Sequence, residues 1–139
     1  SWRRRKITSA PDSKPAHYSS RGDVAVGKWA DAVGGLQAKP GEGGYLHFGP
    51  YSSLAAGNYI ATFDVTGTAE NPSQVVGTVD AAAYGGKTVM GTTEVLGNGK
   101  QQYVVKFQLE RPVRNLELRV VSNATGNVVF KGVTLAQAQ

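Results

Sequence analysis

The sequence predicts an all-β protein, an antiparallel two-sheet β-sandwich of jelly-roll-like form. Three observations predict it. Large apolar residues recur at every second position through Tyr59–Val65, Gln102–Leu109 and Asn115–Val121, the period of a strand with one buried face. Eighteen glycines in 139 residues break these runs at short intervals, as in sandwiches and barrels with many turns. No stretch of ten or more residues carries a helical apolar period.

Taken in order, residues 1–22 read as a flexible basic N-terminal arm, with Pro11, Pro15 and several serines and almost no apolar periodicity. The sandwich domain is assigned to residues 23–139. Val24 to Val33 predicts a first strand, or a strand and a turn. Gly34-Gly35 and Pro40-Gly41-Glu42-Gly43-Gly44 then predict a long break, a place where a rigid scaffold can carry a ligand loop. Strands are expected at Tyr45–Phe48, Tyr59–Val65, Val75–Ala83, Thr88–Leu96, Gln102–Leu109, Asn115–Val121 and Val128–Leu135. Gly85-Gly86 separates the third of these from the fourth. Gly97-Asn98-Gly99 predicts a hairpin between the next pair, because both Asn and Gly tolerate positive φ.

Alternation also assigns faces. Tyr59, Ala61, Phe63 and Val65 point one way, as do Tyr103, Val105, Phe107 and Leu109, and Leu116, Leu118 and Val120. Those are the expected core. Asp80, Glu117 and Arg119 then fall on outward faces.

The length suits one domain with a two-layer core. The longest uncharged apolar run is far shorter than the roughly 20 residues of a membrane span. Ser1 opens the chain without a methionine, and no apolar stretch follows the basic one, so the chain reads as a processed or trimmed product. The absence of cysteine excludes disulfides and thiolate zinc sites within it. Arg3, Arg4, Arg5 and Lys6 account for four of fifteen basic residues, and the other eleven face ten acidic ones. The basicity therefore belongs to the arm, and the body offers no electrostatic case for nucleic acid. With Trp2 beside it, the arm suits a juxtamembrane segment after a lipid anchor, each charge adding about 1 kcal/mol near an anionic surface, or a solubilising tail.

The run Gly49-Pro50-Tyr51, followed by Leu54, Gly57 and Tyr59 and later by Leu116-Glu117-Leu118-Arg119-Val120, resembles non-catalytic carbohydrate-binding modules of the β-sandwich type. The resemblance covers about residues 45 to 135, and the whole is similar to a small bacterial surface lipoprotein antigen. It implies a jelly-roll-like scaffold and a glycan or polysaccharide partner, at the bacterial envelope or outside the cell. It transfers no sugar-binding residue position by position.

Candidate ligand-binding residues come from the side chains themselves. Trp29, Tyr45, His47, Tyr51 and Tyr84 lie in or beside loops, where an aromatic plane can stack on the C–H face of a pyranose. Trp29 has Lys28 and Asp31 nearby; its alternative role is an edge or core tryptophan under the glycine-rich loop. Asp80, Glu117 and Arg119 supply complementary donors and acceptors for sugar hydroxyls. Their alternative is a solvated face with cross-strand ion pairs worth about 0–1 kcal/mol.

Catalysis has no comparable signature. Glycoside hydrolysis needs two carboxylates at a set separation, and no motif selects a pair from Asp80, Glu94, Glu110 and Glu117. Only His17 and His47 are present, and no Gly-x-Ser-x-Gly elbow occurs. No metal or cofactor is expected. Arg21-Gly22-Asp23 and the sequon Asn123-Ala124-Thr125 are short matches that carry no assignment on their own. The expected function is non-catalytic glycan binding. The alternatives are a structural or protein-interaction domain without a sugar site, and a small glycan hydrolase.

Overall fold

The computed structural model describes the backbone of Arg4–Arg5, Ala16–Ser19 and residues 25–138, with side chains over 25–49 and 52–138. The arm assigned to residues 1–22 and the Arg-Gly-Asp string lie outside the described residues, apart from those two short pieces. The described residues form twelve strands: β1 (Arg4–Arg5), β2 (Ala16–Ser19), β3 (Lys28–Ala30), β4 (Gly35–Ala38), β5 (Gly43–His47), β6 (Pro50–Leu54), β7 (Gly57–Thr68), β8 (Val75–Ala83), β9 (Thr88–Leu96), β10 (Gln102–Leu109), β11 (Val113–Asn123) and β12 (Asn127–Ala138). Among the described residues there is no helix.

Two sheets face each other. The first runs β10–β7–β12–β4–β3, and β2 and β1 pair with β12 further along the edge that β4 occupies. The second runs β9–β8–β11, with β5 and β6 in succession along the free edge of β11. All pairings are antiparallel. From β7 onward the chain repeatedly changes sheet, which is the jelly-roll-like pattern.

The predicted combs fill the space between the sheets. Tyr59, Ala61, Phe63 and Val65 are buried, as are Tyr103, Val105, Phe107 and Leu109 and the β11 set Leu116, Leu118 and Val120. On β10 the exposed and buried positions alternate without a break. Each large apolar side chain removed from water here contributes roughly 1.5–3 kcal/mol.

Three local readings differ from the expectation. The break predicted over residues 34–44 contains a strand, β4, which turns back on β3 through Asp31–Gly34; Gly34 has φ +68° and its N–H donates to the Ala30 carbonyl. The residues are few and glycine-rich, so composition hid a pairing that tertiary contacts impose. Pro50–Leu54 also forms an unpredicted strand, β6, pairing irregularly with β11. Gly97-Asn98-Gly99 is no hairpin. It carries the chain from β9 in the second sheet to β10 in the first, and is tied down where Asn98 bridges Thr68 and the Gly99 N–H donates to the Gly67 carbonyl. The positive φ of Gly99, +80°, is used as predicted, but for a crossing between layers.

The sequon is occupied by a turn. The Asn123 amide donates to the Val75 carbonyl while its oxygen accepts from the Thr125 backbone N–H.

Two outcomes follow for stability. Phe63→Ala, at a fully buried position, should cost about 3–5 kcal/mol in a denaturant titration. Tyr59 is buried, its hydroxyl donates to the Ala55 carbonyl at 2.7 Å, and desolvation raises its pKa above 10.0. The folded state therefore holds this proton more tightly than the unfolded chain does. The corresponding stability is fully present below pH 10.0 and is lost as pH rises through the folded value. Tyr59→Phe should remove that portion of the alkaline loss, read as thermal melts across the pH range.

Candidate functional site

The outer face of the second sheet is where the polar comb gathers. Because Leu118 and Val120 point into the core, Arg119 between them must leave by the other side. The β11–β8 register sets Arg119 directly opposite Asp80 and Glu117 opposite Ala82. The guanidinium grips the carboxylate in a fork, Nε to Oδ1 at 2.7 Å and Nη2 to Oδ2 at 2.8 Å. Planar bidentate pairing of this kind is among the stronger charge-assisted contacts available to side chains.

This face is not the solvated one that alternation alone suggests. Asp80, Glu117 and Arg119 are all buried. Tyr45 on β5 lies over the guanidinium, its ring centroid 5.2 Å from Cζ, and its hydroxyl accepts a hydrogen bond from Nη1 at 3.1 Å. Phe48 meets Tyr45 edge-on at 5.9 Å between centroids. On the other side the β8–β9 hairpin closes in: a Cβ on Gly86 would come within 2.7 Å of Arg119 Nη1, so glycine lets this backbone approach the charge. The hydrogen bond to Asp80 raises the Arg119 pKa above its ordinary value; burial opposes it, and the charges of Asp80 and Glu117 add to it.

Ala25, Tyr45, Phe48, Gly85, Glu117 and Arg119 line a cavity of about 400 Å³, within the size range of small-ligand sites. At its hairpin rim Tyr84, Gly85 and Gly86 all take positive φ, at 56°, 68° and 83°. For tyrosine this costs roughly 1–2 kcal/mol. Tyr84 is 52% exposed, so the conformation does not bring the residue into the core.

The candidate residues thus separate. Asp80, Glu117 and Arg119 are brought together, with the Tyr84 hairpin alongside. His47 is not at the surface. It is 2% exposed, packs against Phe130 at 4.6 Å between ring centroids, and its Nδ1 lies 3.0 Å from the Leu118 carbonyl. The cause is a β-bulge: Val120 pairs with His47 but Val121 pairs with Tyr45, so Leu46 is an extra residue and both Leu46 and His47 turn inward. Trp29 lies elsewhere, on β3 of the first sheet. It packs partly against the core and its indole N–H donates to Asp31 at 2.7 Å. It lines a separate hollow of about 410 Å³ with Lys28, Gln37, Lys39 and Glu42. The Tyr51 side chain is outside the described residues.

Phe48 was not predicted as a site residue. Strict alternation from Tyr45 places it inside, and only the bulge returns it to the outer face. A larger hollow of about 700 Å³ lies among Pro40, Glu70, Asn71, Gln74 and Thr125. It has no aromatic plane, its Asn71 side chain is spent on a local turn, and its Thr125 hydroxyl donates to the Val75 carbonyl. Among the described residues no three His, Cys, Asp or Glu side chains gather as a metal site, and no helix is long and apolar enough to cross a membrane.

Asp80→Asn should leave the buried guanidinium short of a counter-charge and cost about 3–5 kcal/mol in urea unfolding, whereas Asp80→Leu with Arg119→Met should cost less than the sum of its two single changes.

No family model and no curated protein matches this chain. Solved structures do. The C-terminal CBM6 of LamC, a marine laminarinase from Zobellia galactanivorans, is similar with a TM-score of 0.55 at 14% identity, over 89% of this chain and 100% of that one. The carbohydrate-binding module CBM6cm-2 from Cellvibrio mixtus lichenase 5A, solved in complex with cellotriose, has a TM-score of 0.53 at 14% identity, covering 89% and 98%. The second N-terminal cellulose-binding domain of Cellulomonas fimi β-1,4-glucanase C has a TM-score of 0.54 at 15% identity, over 95% of each chain. The chain has the β-sandwich fold of carbohydrate-binding modules.

Proposed function

We propose that this chain is a non-catalytic glycan-binding module whose ligand lies on the outer face of the second sheet. The observation that carries the reading is the Tyr45–Arg119–Asp80 assembly beside an open cavity. A half-exposed aromatic ring stands next to a fixed guanidinium and the Glu117 carboxylate, with Phe48 extending the apolar wall. Sugars need this combination, since a pyranose offers an apolar C–H face to an aromatic plane and hydroxyls that both donate and accept. Asp80 accounts for two of the five guanidinium N–H groups and Tyr45 for a third, which leaves two donors for a ligand.

The scaffold supports the same reading, since the similar modules are named for sugar binding and one was solved with cellotriose. Binding without hydrolysis is supported by the carboxylates. Paired-carboxylate hydrolysis requires one free acid and one free base across the scissile bond, and here Asp80 is committed to Arg119. We place the module at the bacterial envelope or outside the cell. The basic residues Arg3 to Lys6 with Trp2 suit a segment lying at an anionic surface after a lipid anchor.

A glycan array followed by isothermal titration tests the function. At least one oligosaccharide should bind with a submillimolar Kd. Tyr45→Ala should weaken it by at least about tenfold, or about 1.4 kcal/mol, and Trp29→Ala should leave it unchanged. Failure of every sugar on a broad panel would favour the protein-interaction alternative.

A further inference from the structure

Glu117 is unlike its neighbour Asp80. It is 8% exposed, lines the cavity under Tyr45 and Phe48, and forms no hydrogen bond or ion pair among the described residues, whereas Asp80 is held twice by Arg119. A carboxylate stripped of most of its water and given no donor is costly to keep. Its oxygens keep some access to the cavity, since no buried side-chain oxygen or nitrogen is left without a partner. A ligand donor arriving there would satisfy it.

The formal charges around the cavity decide what kind of donor fits. Arg119 is outnumbered by the two carboxylates near it, Asp80 in the fork and Glu117 beside it, so the cluster carries one net negative charge. Lys87, the nearest basic residue along the hairpin, is exposed to solvent.

We infer that this site selects glycans carrying a protonated amine, such as oligomers of 2-amino-2-deoxy sugars, with Glu117 as the residue that receives the ammonium. The inference rests on the glycan-binding reading above. An ammonium forms a charge-assisted hydrogen bond to Glu117, roughly twice as strong as one from a neutral hydroxyl. It also gains from the aromatic faces lining the cavity. A uronate meets the opposite field, because the only cation in the wall among the described residues is already forked to Asp80.

Isothermal titration at low salt with glucosamine oligomers, their N-acetylated counterparts, cello-oligomers and oligogalacturonates tests this. The glucosamine series should bind at least about tenfold tighter than the N-acetylated series, and the preference should shrink as salt is added. Glu117→Gln should bring the two series within about twofold of each other. The salt series uses the native protein and stands whether or not that variant folds. Equal affinity for the two series, a preference that survives in Glu117→Gln, or tighter binding of oligogalacturonate would overturn the inference while leaving glycan binding in place. If cello-oligomers and all the others fail to bind, the glycan reading itself is wrong.

Discussion

A guanidinium taken out of water has to be paired, and the two-residue period of β11 leaves no choice about where that happens. Leu116, Leu118 and Val120 fill the core, so Glu117 and Arg119 are committed to the far side of the same strand. Asp80 is committed likewise by Val79 and Ala81. Antiparallel register then sets Arg119 against Asp80. Core packing and site geometry are thus two readings of one strand pairing. Slipping β11 by one residue against β8 would bury charges and expose leucines together.

The surroundings of this pair follow from its needs. Tyr45 supplies a ring and a hydroxyl to the same guanidinium, and Gly86 brings a backbone close where a side chain would collide. Such a covered pair adds little net stability compared with an apolar replacement. Its value lies in holding donors at fixed positions, which suits recognition better than stability. Tyr84 fits the same picture, with a strained backbone at the hairpin tip and a residue that stays half in solvent.

Much of this architecture was legible in the residue order. The combs at Tyr59–Val65, Gln102–Leu109 and Asn115–Val121 identified the core faces, and the limits of β8, β9 and β10 matched their expected spans. Asp80, Glu117 and Arg119 were legible as outward residues for the same reason. Their burial was not, because the cover comes from Tyr45, Phe48 and a glycine hairpin distant in the chain. β4 and β6 were missed since each is short and held by its partner strand more than by its own propensity. His47 was misplaced for a geometric reason: alternation counts residues, and a bulge changes the count.

That single supernumerary residue on β5 has a further meaning for how such a surface can change over time. On a regular strand, positions three apart face opposite ways, yet here Tyr45 and Phe48 share one side because Leu46 and His47 both turn inward. The aromatic pair is therefore a product of the bulge as much as of residue identity. Removing one of the two inward residues would restore a regular strand with Tyr45 and Phe48 two apart and still on one side, whereas ironing out the bulge at unchanged length would turn one ring inside with both aromatic codons intact.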